Sequence, residues 1–217
     1  MTKRKRVGVL ISGRGSNLQA LINGCKKRDY PAEIVLVISN VPQAQGLLCA
    51  EAALISTLTV NHKNFPSREA FDAALDAALN EAGVELLCNA GFLRLHTPDF
   101  VERWHDRHLN VHPSLLPAFR GLHSHERVIA AGCKISGCTI HFLRPEMDEG
   151  PIVAQAAVPV LASDTAETLA ARVLEAEHHL YPHALALVAS GAVSVNEERV
   201  FTNNDQTQVP LFSPPLA

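Results

Sequence analysis

The clearest pattern along the chain is an alternation of short apolar runs with segments whose apolar residues recur at helical spacing. Such runs are typical of parallel strands that are buried on both faces. Predicted strands occupy residues 7–11, 33–38, 57–60 and 84–88. The segments between them predict helices, because apolar positions three and four residues apart share one helix face. This order predicts an α/β fold with a Rossmann-like, mostly parallel twisted sheet and helices on both faces.

The second half of the chain predicts an antiparallel addition to that sheet. Residues 109–112 form a short strand that must stop before Pro113, because proline cannot donate to a ladder and favours an extended residue before it. Residues 134–142 and 152–160 alternate in polarity and are expected to pair as antiparallel strands. Residues 144–151 form an acidic loop between them.

A long helix is expected after this pair. Asp164 and Glu167 have the spacing of a capping box, in acidic form, at its start. Pro182 is expected to break or restart the helix, and Gly191 to end its second piece. After Gly191 the pattern weakens into short strand-like pieces, and residues 213–217 are expected to form a loose tail.

Composition narrows the class of protein. The 217 residues are 47% hydrophobic with a mean hydropathy of +0.07, which suits a soluble protein with a sizeable core. A net charge of -3 gives no footprint for nucleic acid or for an anionic membrane. No apolar run is long enough for a membrane span. Residues 3–6 are basic, and a solvated lead-in to the first strand is favoured over a nucleic-acid or targeting arm.

The cysteines indicate the compartment. Their number is odd, no C-x-x-C pair occurs, and four of the five lie in apolar helix or strand patterns. Free core thiols in a reducing cytoplasm are therefore expected.

A glycine loop follows the first strand. Ser12–Asn17 joins that strand to a helix, an arrangement that directs backbone N–H groups and a positive helix end at an anion. Leu18 stands where a dinucleotide fingerprint has its third glycine, and the second strand leads into Ser39 and Asn40 in place of an acidic residue. Both departures argue against NAD and favour a single phosphate, with an ordinary tight turn as the alternative.

Three polar side chains suggest acyl-transfer chemistry. Asn110 and His112 are two residues apart at the end of a strand, so both point to one face. The acidic loop can bring Asp148 to the imidazole. An amide can steady an oxyanion, an imidazole can hold or move a proton, and a carboxylate raises the imidazole pKa. Taken singly, each has an ordinary alternative as a turn residue or a core histidine.

These residues also carry a family resemblance. The segments Asn110–Pro117, read NVHPSLLP, and Asp148–Pro151, read DEGP, resemble the folate-dependent formyltransferases. Ser12–Asn17 narrows the resemblance to the branch that acts in purine synthesis, and the similarity runs from about residue 7 to residue 190. It implies transfer of a formyl group from 10-formyltetrahydrofolate, the co-substrate, to the primary amine of 5'-phosphoribosylglycinamide.

The resemblance also implies a role for individual residues. Asn110 is the oxyanion donor, His112 is a second donor and proton carrier, and Asp148 keeps His112 protonated. The implied phosphoribosylglycinamide-binding residues are Gly13, Arg14, Gly15, Ser16, Asn17 and Glu177. The implied folate-binding residues are Arg68, Leu93, Arg94, Leu95, His96, Asn110, Arg144, Pro145, Glu146, Met147 and Asp148.

Several further expectations complete the picture. A single formyltransferase domain is predicted for residues 1–217, with a nucleotide-binding half over about 7–105, a folate and catalytic half over about 106–190 and an extension over 191–217. The loop 118–126 is a candidate mobile cover. No metal is expected, because the histidine spacings fit no zinc pattern.

The expected partners are small-molecule substrates, with neither nucleic acid nor membrane, and the protein is a monomer or a homodimer. A formyltransferase acting on another acceptor, a non-catalytic folate- or nucleotide-binding protein and a purely structural role remain the alternatives.

Overall fold

Seven strands form one sheet in the order β3-β2-β1-β4-β5-β6-β7, and two more form a separate hairpin. The structure, a computed structural model, describes residues 3–202 and residue 213. The strands are β1 (Lys5–Ile11), β2 (Ala32–Ser39), β3 (Ser56–Thr59), β4 (Leu86–Asn89), β5 (His108–His112), β6 (Ile135–Phe142), β7 (Ile152–Pro159), β8 (Val193–Asn196) and β9 (Arg199–Thr202). The helices are α1 (Ser16–Cys25), α2 (Gln45–Ala52), α3 (Arg68–Glu81), α4 (Pro98–Arg103), α5 (Ser124–Ala130) and α6 (Ala166–Ala189).

The sheet topology places a candidate site before any side chain is considered. Strands β3, β2, β1, β4 and β5 are parallel, and β5, β6 and β7 pair antiparallel, as predicted. The chain reverses its direction of winding between β1 and β4. In an open α/β sheet, ligands bind at the carboxyl ends of the strands beside such a switch point. The glycine loop after β1 and the end of β5 both lie at this edge.

Helices cover both faces of the sheet, which confirms the predicted layers. Leu18 of α1 and Tyr181 of α6 belong to the apolar core on one face, while Leu75 and Leu79 of α3 belong to the core on the other. The two α3 leucines are fully buried, and burial of such a side chain stabilises a fold by about 1.5–3 kcal/mol. Ser67 is the N-cap of α3, and its Oγ accepts from the backbone N–H of Ala70.

The start of α6 differs from the prediction. Thr165 is the N-cap, and a reciprocal pair of hydrogen bonds joins Thr165 and Thr168 as the capping box. The carboxylate of Asp164 instead accepts two hydrogen bonds from the guanidinium of Arg172, at 2.8 and 2.9 Å. The spacing of an acidic capping box is present in the sequence, but Asp164 forms an ion pair with Arg172 and does not cap the helix.

The prediction that Pro182 breaks the last helix is wrong, because α6 continues through it to Ala189. Proline inside a helix costs about 3 kcal/mol, and tertiary contacts oppose that cost here. The ring lies against Gly24 of α1, where an added Cβ would come within 2.9 Å of Pro182 Cβ. The Pro182 carbonyl accepts a 2.6 Å hydrogen bond from the Tyr30 hydroxyl. The Gly191 signal was informative, since the helix ends two residues before it.

The basic start leads into β1 with Lys3 and Lys5 exposed, and Arg4 also contributes to the fold. Lys5 already belongs to β1, and Arg4 donates to the carbonyls of Cys25, Lys27 and Arg28 at and after the last residue of α1. These carbonyls lie at the end of a helix, where a cation is favourably placed.

The chain's remaining features are a hairpin and five free thiols. The predicted strand-like pieces after Gly191 are the hairpin β8–β9, while residues 214–217 of the predicted tail lie outside the described residues. All five cysteines are free. Within residues 3–202, no helix has the length and apolar character that crossing a bilayer requires.

Candidate active site

The glycine loop is held in one conformation by a close contact with α2. Gly15 has a φ of 78° as the N-cap of α1, and a Cβ added to it would lie 2.5 Å from Gly46 Cα. A hydrogen bond of 3.0 Å from Gly46 N to the Gly13 carbonyl ties the same elements together. Gly15 offers no side chain to cap α1, so the first N–H groups of this helix remain available to an anion. Arg14 and Gly13 are exposed beside them.

A buried amide–carboxyl pair lies at the start of α1. Asn17 Nδ2 donates to Glu177 Oε2 of α6 at 2.7 Å. Glu177 is charged in most surroundings, yet only 6% of it is exposed. Burial raises the pKa of Glu177, and the Asn17 hydrogen bond opposes that shift. Asn17 Oδ1 is buried without a protein partner, so this pair still has an acceptor to offer.

The same two helices enclose a cavity of about 460 Å³. Ser16 lies at its α1 side, and Lys27, His178 and His179 add basic groups to its wall. The Nε2 atom of His178 is buried and has no hydrogen-bond partner. Sequence reasoning missed His178, although its position directly after Glu177 on an α6 turn was an available signal.

Asn110 is oriented by a histidine that the sequence interpretation did not select. Asn110 of β5 and His141 of β6 are paired across the antiparallel ladder, and Asn110 Nδ2 lies 3.2 Å from His141 Nε2. His141 Nδ1 lies 2.9 Å from the Phe142 carbonyl, which can only accept. The proton of the neutral ring is therefore on Nδ1, and Nε2 accepts from the Asn110 amide. Burial lowers the pKa of His141, which favours this neutral form.

His112 and Asp148 meet as predicted. The distance from His112 Nδ1 to Asp148 Oδ2 is 3.2 Å, and both side chains are at least nine-tenths buried. His112 Nε2 lies 3.0 Å from the Phe119 carbonyl. Both ring nitrogens face acceptors, and a ring that carries a proton on each nitrogen can donate a hydrogen bond to each acceptor. Asp148 has a φ of 57° and its Oδ2 also accepts from Gly121 N at 2.8 Å.

The loop predicted over residues 118–126 is partly helical. Its last residues, from Ser124, open α5, and His123 precedes that helix with a φ of 58°. Phe119 also has a left-handed backbone, with a φ of 55°. Through the Phe119 carbonyl and Gly121 N, the loop contacts both members of the His112–Asp148 pair.

Most of the expected folate-binding residues are open to solvent. Leu93 and Leu95 are 80% and 62% exposed, and the backbone N–H of Leu93 donates to Ser12 Oγ at 2.8 Å. That bond joins their segment to the glycine loop. The other exposed members of the set are Arg68, Arg94, Pro145, Glu146 and Met147.

Two side chains of the expected folate set have other partners. The ring of His96 is stacked between Phe92 and Phe100 and pairs with Asp72 at 3.2 Å, so it is buried in the core beneath α4. The guanidinium of Arg144 is bound by two carboxylates and does not face His112. Within the described part of the chain, no three metal-ligating side chains are grouped as an ion would require.

Comparison with known proteins agrees with this geometry. Residues 5–185 match the formyl transferase family. The trifunctional purine biosynthetic protein adenosine-3 of Gallus gallus is 53% identical over 196 residues, which are 90% of this chain and 20% of that protein. The chain thus spans 20% of the length of this trifunctional relative.

Shorter relatives match almost end to end. Phosphoribosylglycinamide formyltransferase of Haemophilus influenzae is 39% identical over 197 residues, which cover 91% of this chain and 93% of that protein. The crystal structure of glycinamide ribonucleotide transformylase 1 from Symbiobacterium toebii has a TM-score of 0.90 and 45% identity, covering 93% of this chain and 95% of that one. On this similarity and on the geometry of its site, the chain belongs to the formyl transferase family.

Proposed function

We propose that this protein transfers the formyl group of 10-formyltetrahydrofolate to the primary amine of 5'-phosphoribosylglycinamide in purine biosynthesis. The observation that carries the proposal is the convergence of Asn110, His112 and Asp148 at the carboxyl end of β5. An amide donor, a protonated imidazole and a carboxylate are the groups that an acyl transfer requires. The similarity to a bacterial phosphoribosylglycinamide formyltransferase over nearly its full length names the acceptor.

The acceptor's phosphate is assigned to the glycine loop and the first N–H groups of α1. Gly13, Arg14, Gly15 and Ser16 surround that position, and Ser16 also lines the neighbouring cavity that His178 borders. The unpartnered Asn17 Oδ1 suits a hydroxyl donor of the ribose. Since an unpaired buried acceptor costs about 1–3 kcal/mol, a bound hydroxyl recovers free energy there.

The chemical step follows from the side chains at the end of β5. The acceptor amine attacks the formyl carbon, a C–N bond forms, and the carbonyl oxygen acquires negative charge. Asn110 Nδ2 and His112 Nε2 donate to that oxygen. The bond from the formyl carbon to N10 of the folate then breaks, and the proton lost by the amine reaches N10 through His112 and Asp148. Loss of one such oxyanion donor lowers a rate by about 10²–10³.

The Phe119 carbonyl occupies the acceptor position on His112 Nε2. It stands in for the formyl oxygen, so the loop must release His112 when the co-substrate binds. The folate is assigned to the surface between Leu93–Leu95 and the backbone of residues 144–148. Arg68 at the start of α3 is assigned to the same ligand.

This arrangement supports the predicted division of the chain. Residues 7–105 supply the acceptor cradle, residues 106–190 supply the reacting groups and Glu177, and the β8–β9 hairpin follows them. The five free thiols favour a reducing compartment, and we place the reaction in the cytoplasm. The other activities implied by the word trifunctional in the names of longer relatives are not assigned to this chain.

The experiment is a transfer assay with purified protein, 10-formyltetrahydrofolate and phosphoribosylglycinamide. Formation of the formylated acceptor and of tetrahydrofolate in equal amounts supports the proposal. Parallel reactions with water alone and with methionyl-tRNA separate the alternative acceptors. Binding of folate with no transfer to any acceptor would leave only the binding-protein alternative.

A further inference from the structure

The guanidinium of Arg144 joins three turns of the chain. Its Nε and Nη2 atoms bind the two carboxylate oxygens of Glu198 at 2.7 and 3.1 Å. Nη2 also lies 2.7 Å from Asp106 Oδ1, and Nη1 donates to the Leu143 carbonyl at 3.0 Å. The Arg144 side chain is only 8% exposed. Two-point pairing of this kind fixes the direction of a guanidinium as well as its position.

Each of the three turns bears on the candidate active site or on its neighbourhood. Asp106 lies in the turn before β5, the strand that carries Asn110 and His112. Arg144 begins the loop that carries Asp148. Glu198 lies at the tip of the β8–β9 hairpin, which follows the part of the chain matched by the family.

The loop that carries Asp148 is fixed at its return limb by the backbone. Phe142 N donates to the Pro151 carbonyl at 2.9 Å, and a Cβ at Gly150 would lie 1.7 Å from the Phe142 oxygen. The outgoing limb is held by the bond from Leu143 N to the His108 carbonyl at 2.8 Å and then by the Arg144 side chain. Because the segment after Arg144 is exposed up to Asp148, the Arg144 pairs are the last side-chain anchor before that carboxylate.

The turn at the tip of the hairpin places two glutamates in a backbone conformation that this residue type disfavours. Glu197 and Glu198 have φ values of 48° and 57° between the paired residues Asn196 and Arg199. A two-residue turn with positive φ at both positions strongly favours Asn-Gly. Glutamate at such positions costs stability, and strained residues of this kind persist where the surrounding structure over-determines them. Glu198 gains the Arg144 pair in return, whereas Glu197 has no ion pair in the described chain.

The hairpin that carries Glu198 is packed against the apolar core. Val195 of β8 and Val200 of β9 pack against the apolar core that α1 and α6 share with the sheet. The Arg144 guanidinium holds the pKa of Glu198 below its usual value, which keeps this carboxylate charged.

We propose that Glu198 is a positioning residue, which acts through Arg144 to hold the loop of Asp148 in the geometry that pairs with His112. Asp106 completes this latch, defined as the side chains of Arg144, Asp106 and Glu198. The latch matters most when the charge on the His112–Asp148 pair changes during a turnover, because the other contacts of the loop apex are with Gly121 N, with His141 Nε2 at 4.0 Å and with Arg120 at the surface. The catalytic consequence rests on the proposed function, whereas the structural consequence does not.

The test compares two substitutions at the hairpin tip. Asparagine tolerates positive φ, so Glu198→Asn and Glu197→Asn relieve the turn equally, but only the first removes the Arg144 pair. We expect Glu198→Asn to lower kcat about three- to tenfold, with an unchanged KM for phosphoribosylglycinamide and an unchanged or higher Tm. Glu197→Asn should keep the wild-type kcat. Raised salt should lower kcat of the wild type towards that of Glu198→Asn, since Glu198 is 60% exposed.

A second readout does not depend on formyl transfer. The imidazole ¹⁵N and ¹H resonances of His112 report its hydrogen bond to Asp148, and they should move in Glu198→Asn and in Arg144→Met but not in Glu197→Asn. Equal kcat values and equal His112 resonances in the two hairpin variants would overturn the proposal. If the wild type transfers no formyl group, the proposed function fails, and the His112 resonances still decide whether the latch positions Asp148.

Discussion

His112 Nδ1 lies 3.2 Å from Asp148 Oδ2, although the helix α5 and the strand β6 separate the two residues along the chain. The strand β5 ends at His112 because Pro113 follows it, and the loop between β6 and β7 carries Asp148 back to the same edge of the sheet. Two elements with different sequence signals thus produce one ion pair. Its two outer contacts, Phe119 O and Gly121 N, belong to the loop that covers it.

Replacement of Asp148 tests the charge of this pair. Asp148→Asn keeps the shape of the side chain and removes the carboxylate that accepts from His112. We expect kcat to fall by about 10²–10⁴, the usual contribution of acid–base catalysis, with folate binding retained. Steady-state kinetics and fluorescence titration with folate measure the two effects separately.

The matched control for that experiment is Glu149→Gln. Glu149 is the adjacent carboxylate and pairs with Arg120 at the surface. Its loss should leave kcat within about twofold of the wild type, because exposed ion pairs contribute about 0–1 kcal/mol. Equal losses in the two variants would assign the effect to the loop as a whole and contradict the role of Asp148.

His141 provides a second prediction, since it orients the Asn110 amide. His141→Leu removes the acceptor for Asn110 Nδ2, so the amide is free to rotate away from the reacting carbonyl. We expect kcat to fall about ten- to a hundredfold with little change in either KM. His141→Gln, which supplies an amide oxygen as acceptor, should recover part of that loss. A change confined to KM would show that His141 serves binding and not the orientation of Asn110.

The strands, the layers and the shared face of Asn110 and His112 were predictable from the sequence because each depends on short-range rules. The run before Pro113 and the glycine loop after β1 are complete signals in themselves. His141 and His178 were not found because their roles depend on pairing with distant elements, His141 through strand register and His178 through the packing of α1 on α6.

The wrong predictions have the same origin. Pro182 should end a helix by its local chemistry, but the Tyr30 hydroxyl and the space above Gly24 are tertiary features. Arg144 is a separate case, because the family resemblance implies that it binds the folate and this stays a prediction, while its guanidinium pairs with Asp106 and Glu198. No pattern in the sequence indicates that Glu198 reaches it.

Gly15 provides a prediction about the acceptor cradle. Gly15→Ala places a Cβ 2.5 Å from Gly46 Cα on a residue with a φ of 78°. Both effects act against the native loop, and we expect the free energy of unfolding to fall by about 2 kcal/mol or more, with the acceptor KM raised. Chemical denaturation monitored by circular dichroism measures the first effect.

Gly13→Ala is the matched variant for stability. No atom lies within 4 Å of a Cβ at Gly13, so its stability should match that of the wild type. Equal stability of the two variants would contradict the close contact between the glycine loop and α2.

Replacement of Glu177 should raise the stability of the fold and weaken binding of the acceptor. Burial raises the pKa of Glu177 above its usual value of 4.5, so the folded chain holds a proton that the unfolded chain has lost. The contribution of this group to stability is therefore full below pH 4.5 and falls as the pH rises towards the raised pKa. Glu177→Gln keeps the acceptor for Asn17 Nδ2 and abolishes the titration.

We therefore expect Glu177→Gln to have a higher Tm than the wild type at pH 7 and a similar Tm at pH 4. The KM for phosphoribosylglycinamide should rise about ten- to a hundredfold, because the resemblance implies that the Glu177 carboxyl group binds this acceptor. Thermal denaturation across this pH range and initial rates measure the two effects. A Tm difference that does not depend on pH would contradict the buried-carboxyl explanation.

His108 should contribute to the loss of stability of the fold as the pH falls. Its ring is buried against Asn89, His96 and Phe100, and burial, with His96 and His141 nearby, lowers its pKa well below 6.5. The unfolded chain takes up a proton near pH 6.5 that the folded chain refuses. The contribution of the neutral His108 ring to the free energy of unfolding is therefore complete above pH 6.5. It is lost as the pH falls towards the lowered pKa.

His108→Gln retains a donor for the Asn89 side chain and removes this titration. We expect the free energy of unfolding of the variant to decline less steeply than that of the wild type between pH 6.5 and pH 5, as measured by urea denaturation at each pH. The exposed His183 of α6 is the control, and His183→Gln should keep the wild-type slope. Other buried histidines, including His141, contribute to the slope in all three proteins, so the difference between His108→Gln and the wild type isolates His108. Parallel pH profiles for the variant and the wild type would show that the imidazole of His108 accepts a proton in the folded protein.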